Sequence, residues 1–320
     1  MSGPTARLGL GLAAVGRPAY LTSGRASDLG RLRPVAELHH RAEQLLDAAY
    51  EAGIRYVDVA RSYGRAEEFL ASWLQAHPEH GDVVVGSKWG YRYVGDWRLD
   101  AAVHEVKDHS LDAFTAQLAE TRAVLGDHLA VYHVHSATPE TGVLEDRALH
   151  RALAGLRDSG VCIGVSTSGP AQGDTVRRAL DLTVDGRPLV TSVQATWNLL
   201  EPSAGDALAD AVARGAQVTV KEAVANGRLT SGGCDGSDGV RRAAVVAAAL
   251  DVPLDQVAIA AALAQPWATR VLSGAVTVAQ LASNVDAARI VLPPAVAAEL
   301  ATIAEEPTAY WAARSRRTWT

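Results

Sequence analysis

Short apolar runs rich in β-branched residues alternate with alanine-rich stretches of helical spacing along almost the whole chain. Runs bounded in this way read as buried strands, and apolar residues recurring every three or four positions read as amphipathic helices. Eight strands are predicted: RLGLGLAAV (7–15), YVDVA (56–60), DVVVGSK (82–88), LAVYHVH (129–135), VCIGVST (161–167), LVTSVQA (189–195), AQVTVK (216–221) and TRVLSGA (269–275). Between them, helices are predicted over 39–53, 65–77, 111–126, 145–160, 205–215, 254–265 and 278–289. Several end in glycine, which takes the left-handed conformation that closes a helix.

Alternating strands and helices, with no break in composition and no Gly/Ser/Pro linker, predict a single domain over residues 1–320. The class is α/β and the architecture a closed (β/α)8 barrel, the TIM barrel. A doubly wound open sheet is the rival, and it predicts a Gly-x-Gly-x-x-Gly turn after the first strand. Gly9, Gly11 and Gly16 lack that spacing, and the Gly- and Pro-containing segment 15–38 then separates the strand from its helix. That segment is long enough to form a lid or a disordered loop.

Composition narrows the function. The chain has 320 residues, is 48% hydrophobic and carries a net charge of −6 with no basic cluster, so nucleic acid is not an expected partner. No apolar run approaches the roughly 20 residues of a membrane span, and the start shows no signal pattern. A cytoplasmic protein without a membrane partner is expected. Cys162 and Cys234 form neither a disulfide framework nor a metal finger.

In a barrel of this kind the chemistry sits at the carboxyl ends of the strands. The second strand carries Asp58, with Tyr63 in the loop beyond it; the third ends in Lys88; the fourth carries His133 and His135. A phenol ionises near pH 10, too high for efficient proton transfer at neutral pH, and a neighbouring ammonium lowers that value. A buried lysine needs a counter-ion, which Asp58 supplies. A histidine beside the phenol can hold a carbonyl oxygen. The set reads as a proton donor for carbonyl reduction, with hydride arriving at carbon. Alternation along the fourth strand turns both histidines inward, His135 at the mouth and His133 one layer deeper. His133 is expected to belong to the machinery if it touches Lys88 or Asp58, and to be structural if it bonds only the core.

Asp58-x4-Tyr63, Lys88 closing the next strand and Tyr132-x-x-His135 resemble the catalytic tetrad of the aldo-keto reductases. GLGLAAVG, IGVSTSG, VQATWNLLE, KEAVANGRLT and LSGAVTVAQLASN extend the resemblance over about the whole chain. It implies a (β/α)8 barrel that binds an extended nicotinamide dinucleotide, NADP(H) or NAD(H). It implies Tyr63 as general acid/base, Lys88 and Asp58 as its tuners, and His135 as the holder of the substrate carbonyl. Ser166, Thr167 and Gln194 stand where the family holds the nicotinamide carboxamide, Thr167 replacing an asparagine. Lys221 stands at the ring-stacking aromatic. Gly274 and Gln280 replace the cations that grip the adenosine 2′-phosphate, and Asn284 is retained opposite the adenine. Arg228, Arg241 and Arg242 are candidate substitutes for the missing cations. The family's N-terminal hairpin, which plugs the barrel floor, is expected to be shortened or absent.

The loop WGYRYVGDW (89–97) follows Lys88 directly, and Trp89, Tyr91 and Trp97 are expected to wall the substrate pocket. The tail 309–320 is long enough to fold over the barrel mouth or to fray. The expected activity is interconversion of an aldehyde, ketone or sugar and its alcohol, with a small molecule as substrate and the oligomeric state open. Two other readings are a cofactor-binding redox sensor or regulatory subunit, and a metal-dependent barrel hydrolase using His133 and His135. The second is opposed by Lys88 and by the absence of histidine beyond His150; no metal is expected.

Overall fold

The structure is a computed structural model that describes residues 4–22, 25–30 and 33–320. Its centre is a closed barrel of eight parallel strands, each pairing with its neighbour in the order first–eighth–seventh–sixth–fifth–fourth–third–second. The strands are Leu8–Gly11, Tyr56–Asp58, Val84–Trp89, Leu129–Ala137, Cys162–Thr167, Ser192–Thr196, Gln217–Lys221 and Arg270–Ser273. All eight lie within or across the predicted runs. They are rich in apolar residues because barrel strands are covered on both faces, by the interior layers and by the outer helices.

The helices bury one stripe each. Val35–Glu51 turns Leu38, Ala42, Leu45, Leu46 and Ala49 to the barrel, the three-and-four spacing of an amphipathic helix. It ends at Gly53, whose φ of +88° lets Ile54 N donate back to Ala49 O at 2.9 Å. Leu111–Leu125 starts at Ser110, whose hydroxyl accepts from Ala113 N at 3.1 Å. Arg147–Asp158 starts at Asp146, whose carboxylate accepts from Ala148 N and Leu149 N.

Four helices were not legible from spacing. Gln172–Leu180 carries only Val176, Ala179 and Leu180 as large or small apolar residues, too sparse to mark a face. Asp238–Ala249, Pro294–Leu300 and Pro307–Ser315 lie where small alanines blur the period. The seventh strand is thus followed by two helices, Asp238–Ala249 and Leu254–Leu263, before the eighth. At the barrel floor a 3-10 turn, Pro4–Arg7, precedes the first strand. Arg7 there donates to Ala268 O, and the Thr5 hydroxyl donates to Ala52 O at 2.8 Å. Among the described residues no single helix is long and apolar enough to cross a membrane.

Three pieces assemble around the mouth. An antiparallel hairpin pairs Tyr91–Tyr93 with Glu105–Lys107. The loop after the first strand folds as a short helix, Arg25–Leu29, and the tail helix Pro307–Ser315 leads to Trp319. The buried Arg25 guanidinium ties loop and tail together, donating to Ala14 O, Pro18 O, Arg17 O and Thr320 O. Tyr20 and Thr320 exchange backbone hydrogen bonds at 3.0 and 3.1 Å. The tail folds over the mouth.

Candidate active site

The second and third strands place an ion pair at the top of the barrel. Lys88 Nζ donates to Asp58 Oδ2 at 2.5 Å and to Val59 O at 2.9 Å, and Gln194 Nε2 donates to Asp58 Oδ1 at 2.8 Å. Lys88 is fully buried. Burial lowers its pKa, and the Asp58 charge pulls it back up. Such a pair persists only with its remaining polar atoms satisfied, which Val59 and Gln194 accomplish.

Tyr63 sits above this pair, its ring 4.8 Å from Lys88 Nζ and its hydroxyl 3.5 Å from His135 Nε2. The sequence reading has the ammonium lower the phenol's pKa. In the structure the net direction is upward, well above the usual value, because burial and the Asp58 charge outweigh the Arg17 cation. Lys88 spends much of its charge on Asp58 at 2.5 Å. Tyr63 is therefore a neutral phenol, the form that gives a proton. Burial first, then Lys88 and Arg17, holds His135 well below its usual pKa, so its imidazole is neutral. The Ser62 hydroxyl lies 3.4 Å from Nδ1, and a proton donated there leaves Nε2–H free to donate to a substrate oxygen.

The turn that carries Tyr63 is built on two glycines. A Cβ on Gly16 would collide with Tyr63 O and Ala66 Cβ, and one on Gly64, already at φ +62°, would collide with Gly16 O. Arg65 N donates to Gly16 O at 2.8 Å across the same contact.

His133 shares a hydrogen bond with Ser192 Oγ at 3.0 Å and none with Lys88 or Asp58. Gly164 leaves room for its ring, since a Cβ there would strike it. It is a structural residue of the layer below the site. Burial pushes its pKa down to about 3, and burial likewise holds His109, bonded to His135 O at 2.7 Å, at about 4. Both fold neutral while the unfolded chain titrates near 6.5. From pH 6.5 down to 4.5 the unfolded state therefore takes up protons that the fold refuses, and stability falls with pH. Each histidine is expected to cost roughly 1.4 kcal/mol per pH unit in that window. Urea midpoints measured at intervals across it check this, and a flat midpoint overturns it.

Of the three aromatics expected in the pocket wall, only Tyr91 lines the cleft, its ring 5.1 Å edge-on from His135. Trp89 does not. The third strand continues through it, so strand alternation turns Lys88 inward and Trp89 outward beneath the helix Leu111–Leu125, 5.1 Å from the Phe114 ring. Trp97 also faces away, with Nε1 donating to Arg33 O and its ring against Phe69.

An open cleft runs from Tyr91 and Tyr63 past Gln194 and Lys221 to Gly274. Ser166 and Thr167 are buried and neither lines the cleft: Ser166 Oγ accepts from Ser136 N at 2.9 Å, and the Thr167 hydroxyl has no hydrogen-bond partner among the described residues. Lys221 Nζ donates to Thr196 Oγ1 at 2.8 Å, and burial takes its pKa to about 8. Beside it Glu222 is clamped by Arg314 and held at about 2 despite its burial. At the far end Asn284 bonds Ser273, while Gln280 bonds Val276 N and Asp28, so neither lines the cleft. Arg228 pairs with Asp235 and Glu305, Arg241 with Asp238, and Arg242 with Thr302.

Sequence reasoning missed Arg17, Tyr20, Glu105, Glu222, Arg314 and Trp319, all of which line the cleft. Arg17 and Glu222 lie just past strand ends, where the same rule could have found them. The others arrive by docking of the hairpin and tail. Among the described residues no cluster of three or more His, Cys, Asp or Glu side chains is arranged to hold a metal ion.

The family model described as the aldo/keto reductase family matches residues 34–305. The chain belongs to the aldo/keto reductase family. It is an oxidoreductase, and members of this family generally use NAD(P)H on small carbonyl or alcohol substrates. It is 26% identical over 294 residues to a D-threo-aldose 1-dehydrogenase of a Pseudomonas species, covering 82% of this chain and 88% of that one. A holo-form aldo-keto reductase from Bacillus halodurans superposes with a TM-score of 0.71 at 20% identity, over 93% of this chain and 92% of the other. The glycerol dehydrogenase of Gluconobacter oxydans gives 0.69 at 20% identity, over 93% and 90%. At such identities the two structures speak for the fold, the closed eight-stranded barrel of this aldo/keto reductase.

Proposed function

We propose that this protein interconverts a polyhydroxylated aldehyde, ketone or sugar and its alcohol with NADP(H) or NAD(H), Tyr63 giving and taking the proton. The observation that carries this is the neutral phenol of Tyr63, 3.5 Å from a neutral imidazole, above the buried Lys88–Asp58 pair. The cofactor when bound supplies the hydride to the carbonyl carbon. His135 holds the carbonyl oxygen, and the Tyr63 proton passes to that oxygen as the alcohol forms. In the reverse direction Tyr63 accepts the alcohol proton.

The cleft suits such a cofactor. The amide of Gln194 lines the cleft as a group that could hold a carboxamide, and a Cβ on Gly274 would meet only open space. Ser166 supports this edge by fixing Ser136 N. The adenosine end would rest on Gly274, with Asn284 and Gln280 behind it as supports. The substrate class follows from the rest of the wall, where Arg17, Glu105, Lys221, Glu222, Asn226 and Arg314 offer donors and acceptors suited to several hydroxyls. The named activities of the Pseudomonas and Gluconobacter relatives, on an aldose and on glycerol, agree with that class.

The test is a panel of aldoses, short polyols and apolar aldehydes assayed with each cofactor, alongside fluorescence titration of NADPH and NADH. Hydroxylated substrates are expected to show kcat/KM at least tenfold above chain-length-matched apolar aldehydes. Tight cofactor binding with no turnover on any substrate would point instead to a redox sensor.

A further inference from the structure

Arg17 is a cation that the tetrad does not include. Its side chain is almost fully buried, and its guanidinium carbon lies 5.3 Å from the Tyr63 ring centre, against 4.8 Å for Lys88 Nζ. The same carbon lies 5.1 Å from the Tyr20 ring and 4.6 Å from the Trp319 ring, so aromatic faces surround it. Nη1 donates to Ser62 O at 2.8 Å, the residue before Tyr63, and to Glu105 Oε1 at 2.6 Å; Nε has no partner. The contact of Gly16 with Tyr63 and Gly64 locks Arg17 to the turn that carries the phenol.

We propose that Arg17 is a second positioning cation for Tyr63, opposed by Glu105, and that this pair sets the pH at which the Tyr63 hydroxyl releases its proton. The inference rests on Tyr63 being the proton-transfer group. The groups facing the phenol are Asp58, Lys88, His135, Tyr20, Arg17 and Glu105; those facing Arg17 also include His104 and Arg25. Within this set Arg17 lowers the Tyr63 pKa, while Glu105 raises it. Lys88 is held at 2.5 Å by a carboxylate that is nearly buried, with 4% of its side chain exposed, whereas Glu105 is 17% exposed and its charge is better screened by water. Arg17 therefore keeps more of its field at the phenol.

The sign of the two substitutions differs, and that carries the test. Alcohol oxidation needs the phenolate, so kcat for oxidation rises with pH through the Tyr63 pKa. Arg17→Gln removes the cation and is expected to move this limb upward by about one pH unit, at roughly 20 for the local dielectric and with Glu105 still opposing. Glu105→Gln keeps an acceptor for Nη1 but removes the anion, and is expected to move the limb downward by about half a unit. The measurement is kcat against pH for both variants at saturating substrate and cofactor, with an ultraviolet titration of the phenolate taken against Tyr63→Phe. A structural role alone would lower kcat without moving the limb. Limbs that stay put, or that move the same way, overturn the proposal. If Arg17→Gln fails to fold, the Glu105→Gln shift alone decides. If Tyr63→Phe itself retains turnover, the functional reading fails; if it does not and the limbs stay put, only the role of Arg17 falls.

Discussion

Replacing Tyr63 by phenylalanine is expected to lower kcat for carbonyl reduction by roughly 10³-fold, with the fold and the cofactor affinity retained. That loss corresponds to about 4 kcal/mol of transition-state stabilisation. The ring stays where it is, packed between Lys88 and Arg17, and only the hydroxyl is lost. Its nearest polar neighbour is His135 at 3.5 Å, too long to contribute much to stability. The unfolding free energy should therefore change by no more than about 1 kcal/mol. Steady-state kinetics combined with cofactor fluorescence separates the two quantities. A variant that keeps kcat within tenfold of the parent removes Tyr63 from the chemistry.

Asp58→Asn is expected to be the more damaging change to the protein as a whole. Lys88 is fully buried, and its ammonium would lose the carboxylate that Asp58 places 2.5 Å away. Leaving a buried charge without its counter-ion costs about 3–5 kcal/mol. Burial already lowers the Lys88 pKa, with Asp58 as the chief opposing influence, so without the Asp58 charge the lysine's pKa falls further. Between its folded pKa and 10.5 the unfolded chain then holds a proton that the fold does not, and stability rises with pH. The deficit measured by urea unfolding should thus narrow as pH climbs toward 10.5, where the free side chain also discharges. Activity should fall at least 10²-fold at neutral pH, because Tyr63 loses a cation. A deficit that is constant from pH 7 to 10 would falsify the charge argument and leave a packing defect as the cause.

The sequence by itself determined the barrel and the convergence of Asp58, Tyr63, Lys88 and His135 at one end of it. Eight buried strands write themselves as apolar runs, since both of their faces are covered, and the missing Gly-x-Gly-x-x-Gly turn sets the closed barrel ahead of an open doubly wound sheet. Asp58, Tyr63, Lys88 and His135 were legible because strand ends converge once the barrel closes, so placement along a strand is placement in space. Distance from a strand end eroded that rule quickly. Trp89, one residue past Lys88, was misassigned because the strand runs on through it and alternation turns it outward. Trp97 was misassigned because Asp96 and Trp97 both take positive φ and swing the ring toward Phe69.

Tertiary structure alone decided the electrostatics of the site. An ammonium near a phenol suggests a lowered pKa on paper, yet burial and Asp58 win, and Tyr63 rests as a neutral phenol. It also decided that His133 supports the core through Ser192, since only packing shows which partner a buried imidazole finds. Glu105 and Trp319 reach the cleft because a hairpin and a tail dock over the mouth, and Arg17 turns toward Tyr63 because Gly16 lets two backbones touch. Those contacts join residues far apart in the chain, and no periodicity in a single sequence encodes them.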